Sequence, residues 1–284
     1  MPVSTRSPRA RALCAALREA RLASGIGVRE LGRILGLSDT SISLWENGHR
    51  VPNVEQVAMI LAAVRTSPEE RERILSLARH VREPNWLTVG MEGIPQQLAG
   101  VVECERSAVS IIEWIPIGIP GLLQTSDYKR SIYQADDQPE RDIELRVMVA
   151  AGRRDVLTRV NEPVRFDALI GEAALYEPIG SDPIMIDQLR HLAAMSERKN
   201  IRVQIVPQRI GWHPGWAGPF IMYEFPDASP VVYFEHYSSG AFIPNEHEVA
   251  AYHKSINKLK SIAMSPGEST DLISKIANDM EVAP

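Results

Sequence analysis

The first eighty residues repeat one pattern: a few apolar positions three or four apart, then a short polar break. Leu13 and Leu17 share a face, Leu31 and Leu35 a second, Ile42 and Trp45 a third. Val57, Ile60 and Leu61 follow, then Ile74, Leu77, Ala78 and Val81. This spacing predicts amphipathic helices rather than strands. The breaks carry matching punctuation. Ser7-Pro8 supplies a cap and an N1 proline. Gly25, Gly36 and Gly48 stand where the first three helices should end. Leu37 plugs the turn after the second helix, and Ser38 caps the third. Asn53 with Gln56 reads as a capping box, and Ser67-Pro68-Glu69-Glu70 as a further start signal. Residues 8–81 therefore read as five short helices with tight turns and no strand.

From Glu83 the periodicity dissolves among Pro84, Gly90, Gly93 and Pro95. We place a linker at 83–95, between a head at 1–82 and a second domain at 96–284. Beyond it the patterns mix. Helices are expected over 96–108, 141–160 and 182–198, with a closing helix over 246–262 on Val249, Tyr252, Ile256 and Leu259. Strands are expected over 110–115, 164–170, 201–206, 220–225 and 231–234. The fold class is multidomain: an all-α five-helix head and an α+β C-terminal domain.

Composition narrows the function classes. With 44% hydrophobic and 24% charged residues, the chain reads as an ordinary globular protein. It has no apolar run of membrane length. The basic N-terminus lacks the apolar core of a signal peptide. Cys14 and Cys104 form no motif, which suggests a reducing compartment. A cytoplasmic location is expected, with no membrane partner. The net charge of −5 excludes a chain-wide basic surface, but the distribution is uneven. Residues 1–66 hold nine arginines, no lysine and five acids, a balance of +4 that leaves −9 for the remainder. A basic head on an acidic body fits a nucleic-acid reader joined to something else.

The third helix sharpens that reading. Ser38, Asp39, Thr40, Ser41 and Ser43 crowd short polar groups onto a segment whose other side, Ile42 and Trp45, is apolar. The DNA major groove admits one helix, and residues at that helix's N-terminal end meet base edges. Free amides at the helix starts, Gly27-Val28 and Asn53, suit phosphates. The competing reading is a helical bundle whose arginines are merely solvated.

Glu30-Leu31, Leu35-Gly36-Leu37-Ser38, Ile42-Ser43, Trp45-Glu46-Asn47-Gly48 and Arg50-x-Pro52 resemble the helix-turn-helix of the XRE family, which includes the lambdoid repressors and Cro. The resemblance implies that Asp39, Thr40, Ser43 and Leu44 face bases. It implies that Ser38, Ser41, Asn47 and Arg50 hold phosphates, with Val28 and Arg29 completing the DNA-binding set. Arg21 and Glu46 would pair to brace the first helix against the third. Such regulators bind double-stranded DNA as homodimers on palindromic sites. Two departures stand out. Gly27-Val28 replace the usual polar pair, and Gly32 replaces an alanine at a helix cost of about 1 kcal/mol. Asp39 either accepts from a cytosine amine or serves the helix dipole.

Two strings mark the second domain: Ile119-Pro120-Gly121-Leu122-Leu123-Gln124-Thr125 with Tyr128, and Gly211-Trp212-His213-Pro214-Gly215-Trp216 running to Phe220. With Glu172-Ala173-Ala174-Leu175, Val232-Tyr233-Phe234-Glu235 and Arg153-Arg154-x-x-Leu157, they resemble the C-terminal domain of a large actinobacterial group that fuses it to an XRE head. That domain has no established chemistry. The resemblance implies a neighbouring gene for a small acidic protein and a pair described as antitoxin-like.

Rigid aromatics on a glycine-rich loop can line a pocket. Trp114, Tyr128, Trp212, His213, Trp216, Phe220 and Glu235 are the candidate lining, and Arg146 and Arg153, seven apart on one helix, are a candidate dock for an acidic partner or ligand. The competing readings are core tryptophans, a structural turn at Pro120-Gly121 and a solvated charged face. Glu172, His213 and Glu235 could form an acid–base set, but no GxSxG elbow occurs. His247 and His253 are six apart and share no helix face, and Gly25-x-Gly27 lacks a preceding strand. No catalytic residue, cofactor or metal is assigned.

The expected function is a dimeric, sequence-specific transcriptional regulator whose C-terminal domain senses a small partner protein or ligand. The alternative is an antitoxin-like module that neutralises the small neighbouring product, with DNA binding secondary.

Overall fold

A computed structural model describes residues 8–79, 81, 86–89, 96–237 and 239–282. The expected cap at Ser7 and most of the linker at 83–95 lie outside them. In chain order the elements are α1 (Pro8–Ala23), α2 (Val28–Leu35), α3 (Asp39–Glu46), α4 (Val54–Ala63), α5 (Pro68–Arg79), β1 (Trp86–Val89), α6 (Gln96–Ser107) and β2 (Ser110–Ile115). There follow α7 (Ser126–Ala135), α8 (Glu140–Arg153), α9 (Asp155–Thr158), β3 (Arg165–Gly171), α10 (Asp182–Ser196), β4 (Ile201–Val206), β5 (Phe220–Glu224), β6 (Val231–Glu235), β7 (Ser239–Ile243), α11 (Glu246–Ile262) and α12 (Pro266–Val282).

Packing divides the chain into two compact units. One comprises Met1–Ser107 with His236–Asn245, the other Ala108–Glu235 with Glu246–Pro284. In the first, α1–α5 form the expected helical head around Leu13, Leu17, Leu31, Ile42, Val57, Leu61 and Ile74, all buried. Asn53 Oδ1 accepts from the Gln56 amide at 2.8 Å while Gln56 Oε1 accepts from the Asn53 amide at 2.9 Å, so the capping box forms in full. Two features differ from the sequence reading. α6, assigned to the second domain, packs on α1 in this unit. The stretch taken as irregular contains β1, which pairs antiparallel with β7, Trp86 opposite Phe242.

The second unit is built on a mixed sheet. β2 runs parallel to β3, and β3 parallel to β4, while β5 is antiparallel to both β2 and β6. Parallel neighbours need helical crossovers; α7–α9 join β2 to β3, and α10 joins β3 to β4. Strands covered on both faces lose the apolar–polar alternation, as at Ala168, Leu169 and Ile170, all buried. α11 covers one face: Tyr252 packs edge-on against Phe220 and Phe234, with ring centroids 4.9 and 5.3 Å away. The Lys260 ammonium pairs with Asp167 on the same face.

Two expected helices are corrected here. The one spanning 141–160 breaks at Arg154, whose Nη1 donates to the Gln124 carbonyl at 2.8 Å, and a separate short turn, α9, follows. α11 does not close the chain; α12 follows and packs on α10 and β4.

The Pro120-Gly121 string forms a 3-10 turn, and the Thr125 hydroxyl caps α7 by accepting from the Tyr128 amide at 3.3 Å. The fully buried Gln188 of α10 pins this turn. Its Nε2 donates to the Leu123 carbonyl at 2.9 Å and its Oε1 accepts from the Thr125 amide at 2.7 Å. Gln188→Leu leaves the buried Leu123 carbonyl and the half-buried Thr125 amide without their partner, so a loss of about 2–4 kcal/mol is expected in urea unfolding. A loss under about 0.5 kcal/mol would mean that the turn holds itself.

Candidate nucleic-acid interface

The eight-residue α3 is too short to persist alone. It is held at both ends and along one side. Ser38 Oγ accepts from the Ser41 amide at 3.2 Å and lies 2.8 Å from Ser41 Oγ. One hydroxyl hydrogen of this pair is spent between them, which leaves the other to reach a phosphate. Ile42 and Trp45 are buried against α1 and α2. At the far end Arg21 grips Glu46 with two bonds, Nε to Oε1 at 2.6 Å and Nη2 to Oε2 at 2.8 Å. Its Nη1 also donates to the Ile26 carbonyl at 2.9 Å, which ties in the turn before α2. The Glu46 bond raises the Arg21 pKa above its ordinary value, although burial opposes this. Both side chains are under a tenth exposed.

Docked this way, α3 turns Asp39 and Thr40 outward, with Ser41, Ser43 and Leu44 half-buried behind them. Asn47 Nδ2 donates to Ser43 Oγ at 3.1 Å, so a residue assigned to phosphate and one assigned to bases are linked. Asp39 Oδ1 accepts from the Thr40 amide at 2.9 Å, and Oδ2 lies 3.9 Å from Arg29 Nε. Of the two roles open to Asp39, this arrangement favours service at the helix start. The Arg29–Asp39 pair is exposed and contributes little stability.

Gly48, at φ +72°, lets the His49 and Arg50 amides both reach back to the Leu44 carbonyl, and both side chains end up exposed. His49 was not among the expected site residues. A lone histidine carries no signal of its own, but its place between Asn47 and Arg50 does.

Gly27 makes no side-chain cap for α2, so the amides beside Val28 stay open toward Arg29. At α4, by contrast, the capping box occupies the amides of Asn53 and Gln56, which removes part of the expected phosphate site. Gly32 also gains a reason. A Cβ there would stand 2.8 Å from the Leu37 carbonyl oxygen, inside contact distance, where α2 meets the turn into α3.

The residues expected to line a pocket in the second unit do not form one lining. Trp114, Tyr128 and Phe220 are core residues. Trp114 Nε1 donates to the Gly215 carbonyl at 2.9 Å, and its ring meets His213 edge-on at 5.7 Å. Burial lowers the His213 pKa. Trp212 and Trp216 point into solvent. Arg146, Arg153 and Glu235 gather elsewhere, around Tyr133: Arg146 lies 5.8 Å from that ring's centroid. Burial pushes the Tyr133 phenol up, the two arginines pull it back, and Glu235 opposes them. Glu172, considered for catalysis, accepts the Gln208 amide at 2.9 Å.

The two units thus pair a helix-turn-helix head with an α+β body. Comparison with family models agrees: a helix-turn-helix domain model matches residues 12–74, and the model described as a domain of unknown function (DUF5753) matches residues 98–275. The chain belongs to the DUF5753 family and carries an XRE-like helix-turn-helix, a DNA-binding domain, at its N-terminal end. No curated protein matches it. Among the described residues no helix is long and apolar enough to cross a membrane.

Two stability experiments test the docking of α3. Arg21→Ala or Glu46→Ala strands a buried charge and is expected to cost about 3–5 kcal/mol. The apolar pair Arg21→Met with Glu46→Leu is expected to recover most of that; a double variant as unstable as the singles would show that the charges are not paired. Gly32→Ala raises helix propensity by about 1 kcal/mol, yet its Cβ meets backbone, so a lower melting temperature is expected and a higher one refutes the contact.

Proposed function

We propose that the protein is a sequence-specific transcriptional regulator that binds double-stranded DNA as a homodimer. The carrying observation is the first turn of α3, outward-facing and polar on a scaffold locked by Arg21 and Glu46. Asp39, Thr40, Ser43 and Leu44 are the base-side residues in this reading. Ser38, Ser41, Asn47 and Arg50 take phosphates, as do the open amides at Val28, with Arg29 alongside. One helix of this length reads few base pairs, and two heads set about 34–36 Å apart read a palindrome. The C-terminal unit then pairs the chains and takes the signal, from a small partner protein or a small molecule. A modest tilt between two such units misplaces one head and lowers affinity.

The test is fluorescence anisotropy with DNA from upstream of the gene, at several salt concentrations. Affinity is expected to fall steeply as salt rises, because bound arginines release counterions. Arg50→Ala is expected to weaken all sequences alike and to reduce the salt slope by about one. Thr40→Ala with Ser43→Ala is expected to cost roughly 1–3 kcal/mol on the specific site and little on random DNA. A flat salt response, or equal losses on both DNAs from the α3 variants, would rule this function out.

A further inference from the structure

The parallel strands β2, β3 and β4 end at one edge of their sheet, and the loops that leave them are locked together there. A Cβ on Gly215 would lie 2.6 Å from the Trp114 ring, and one on Gly171 2.3 Å from the Pro116 carbonyl oxygen. The Glu172 carboxylate fastens the start of the third loop at the Gln208 amide. Loops held this closely have little freedom, yet what they display is apolar. Ile117 is 66% exposed, Tyr176 56%, Ile210 42%, Trp212 80% and Trp216 71%. Exposed apolar clusters mark association surfaces, and rigid tryptophans dominate the energetics of interfaces.

The same unit offers a receptor for them. Tyr176 rims a groove of about 310 Å³ whose floor and far wall are Leu272, Lys275, Ile276, Asp279 and Met280 of α12. That volume is near the lower bound of about 300 Å³ for sites that enclose small ligands, and admits one indole. The charges around it are balanced. Lys275 and Asp279 sit in the groove, Arg209 on the tryptophan loop and Glu177 beside Tyr176, all exposed.

We infer that this edge is the surface through which two copies of the chain pair, the indole of one seated in the α12 groove of the other. A two-fold axis presents knob to groove twice, as a self-complementary interface requires. Mixed charges favour a copy of the chain over a strongly acidic or basic protein, because each sign can meet its opposite across the axis. The inference rests on the two-headed reading above and supplies the surface that reading needs.

Sedimentation of the full chain without DNA tests it. The wild type is expected to be a dimer at micromolar concentration. Trp212→Ser with Trp216→Ser is expected to raise the dimer Kd at least about tenfold, with the circular dichroism spectrum unchanged because both indoles are exposed. Leu272→Arg with Met280→Arg blocks the groove and has the same effect. Should that variant melt early, Asp279→Trp plugs the groove instead. Mixed in equal amounts, the indole and groove variants are expected to associate, because the mixed dimer keeps one intact knob-and-groove contact. A monomeric wild type, an indole variant that stays dimeric, or variants that remain apart on mixing would each overturn the inference. Anisotropy with half-site DNA separates the two proposals. A chain that binds DNA but pairs elsewhere loses only this surface; one that pairs here and binds no DNA loses only the regulator reading.

Discussion

The buried bond between Arg21 and Glu46 is the constraint on which the head depends. It joins the last turn of α1 to the last residue of α3, and through the Ile26 carbonyl it fixes the turn between α1 and α2. A helix as short as α3 has no stability of its own, so its orientation is whatever its dock imposes. Ile42 and Trp45 supply the attraction, but apolar burial is non-directional. The two-pronged guanidinium–carboxylate contact is directional. It sets which side of α3 faces outward, and so which residues a groove would meet.

The C-terminal unit solves a related problem by close backbone approach. At Gly215 and Gly171 the chain comes nearer to a neighbour than any side chain allows. Trp114 acts as the post: its ring fills the space a Cβ at Gly215 would occupy, and its indole N–H secures that glycine's carbonyl. Gly215 thus permits contact with the protein's own core. The result is a rigid support under Trp212 and Trp216, and rigidity lowers the entropy lost when such residues are covered by a partner.

The head was legible because its determinants are local. Spacing along one helix face, a cap and a glycine stop all lie within a few residues, so five helices could be expected from the sequence; the Arg21–Glu46 brace, between distant residues, came from the family resemblance alone. The body was less so. β1 and β7 are four- and five-residue strands that depend on pairing with distant segments, and neither shows a periodicity of its own. The break in the long helix at Arg154 follows from a bond to Gln124, distant in sequence. α12 was missed despite a readable signal: Ser265 and Glu268 form a capping box around Pro266, the Ser265 amide donating to Glu268 Oε2 at 2.9 Å. The placing of the candidate pocket residues was not legible, because an indole looks the same in sequence whether it plugs a core or stands in water. Burial separates Trp114 from Trp212, and burial is a property of the assembled sheet.

α6 joins these threads. All but its first two residues fall within the span matched by the DUF5753 model, yet it packs in the first unit, on α1. Val101 and Cys104 are buried there, and the Glu103 charge adds to the burial that pushes the Cys14 thiol up to about 12. α1 therefore carries two loads: α6 packs on it, and its Arg21 holds the end of α3. A displacement of α6 would therefore reach α3 through one packed helix and one buried ion pair. Close-packed interiors pass such strain rather than absorb it. Sequence of the C-terminal family thus helps build the scaffold that orients α3.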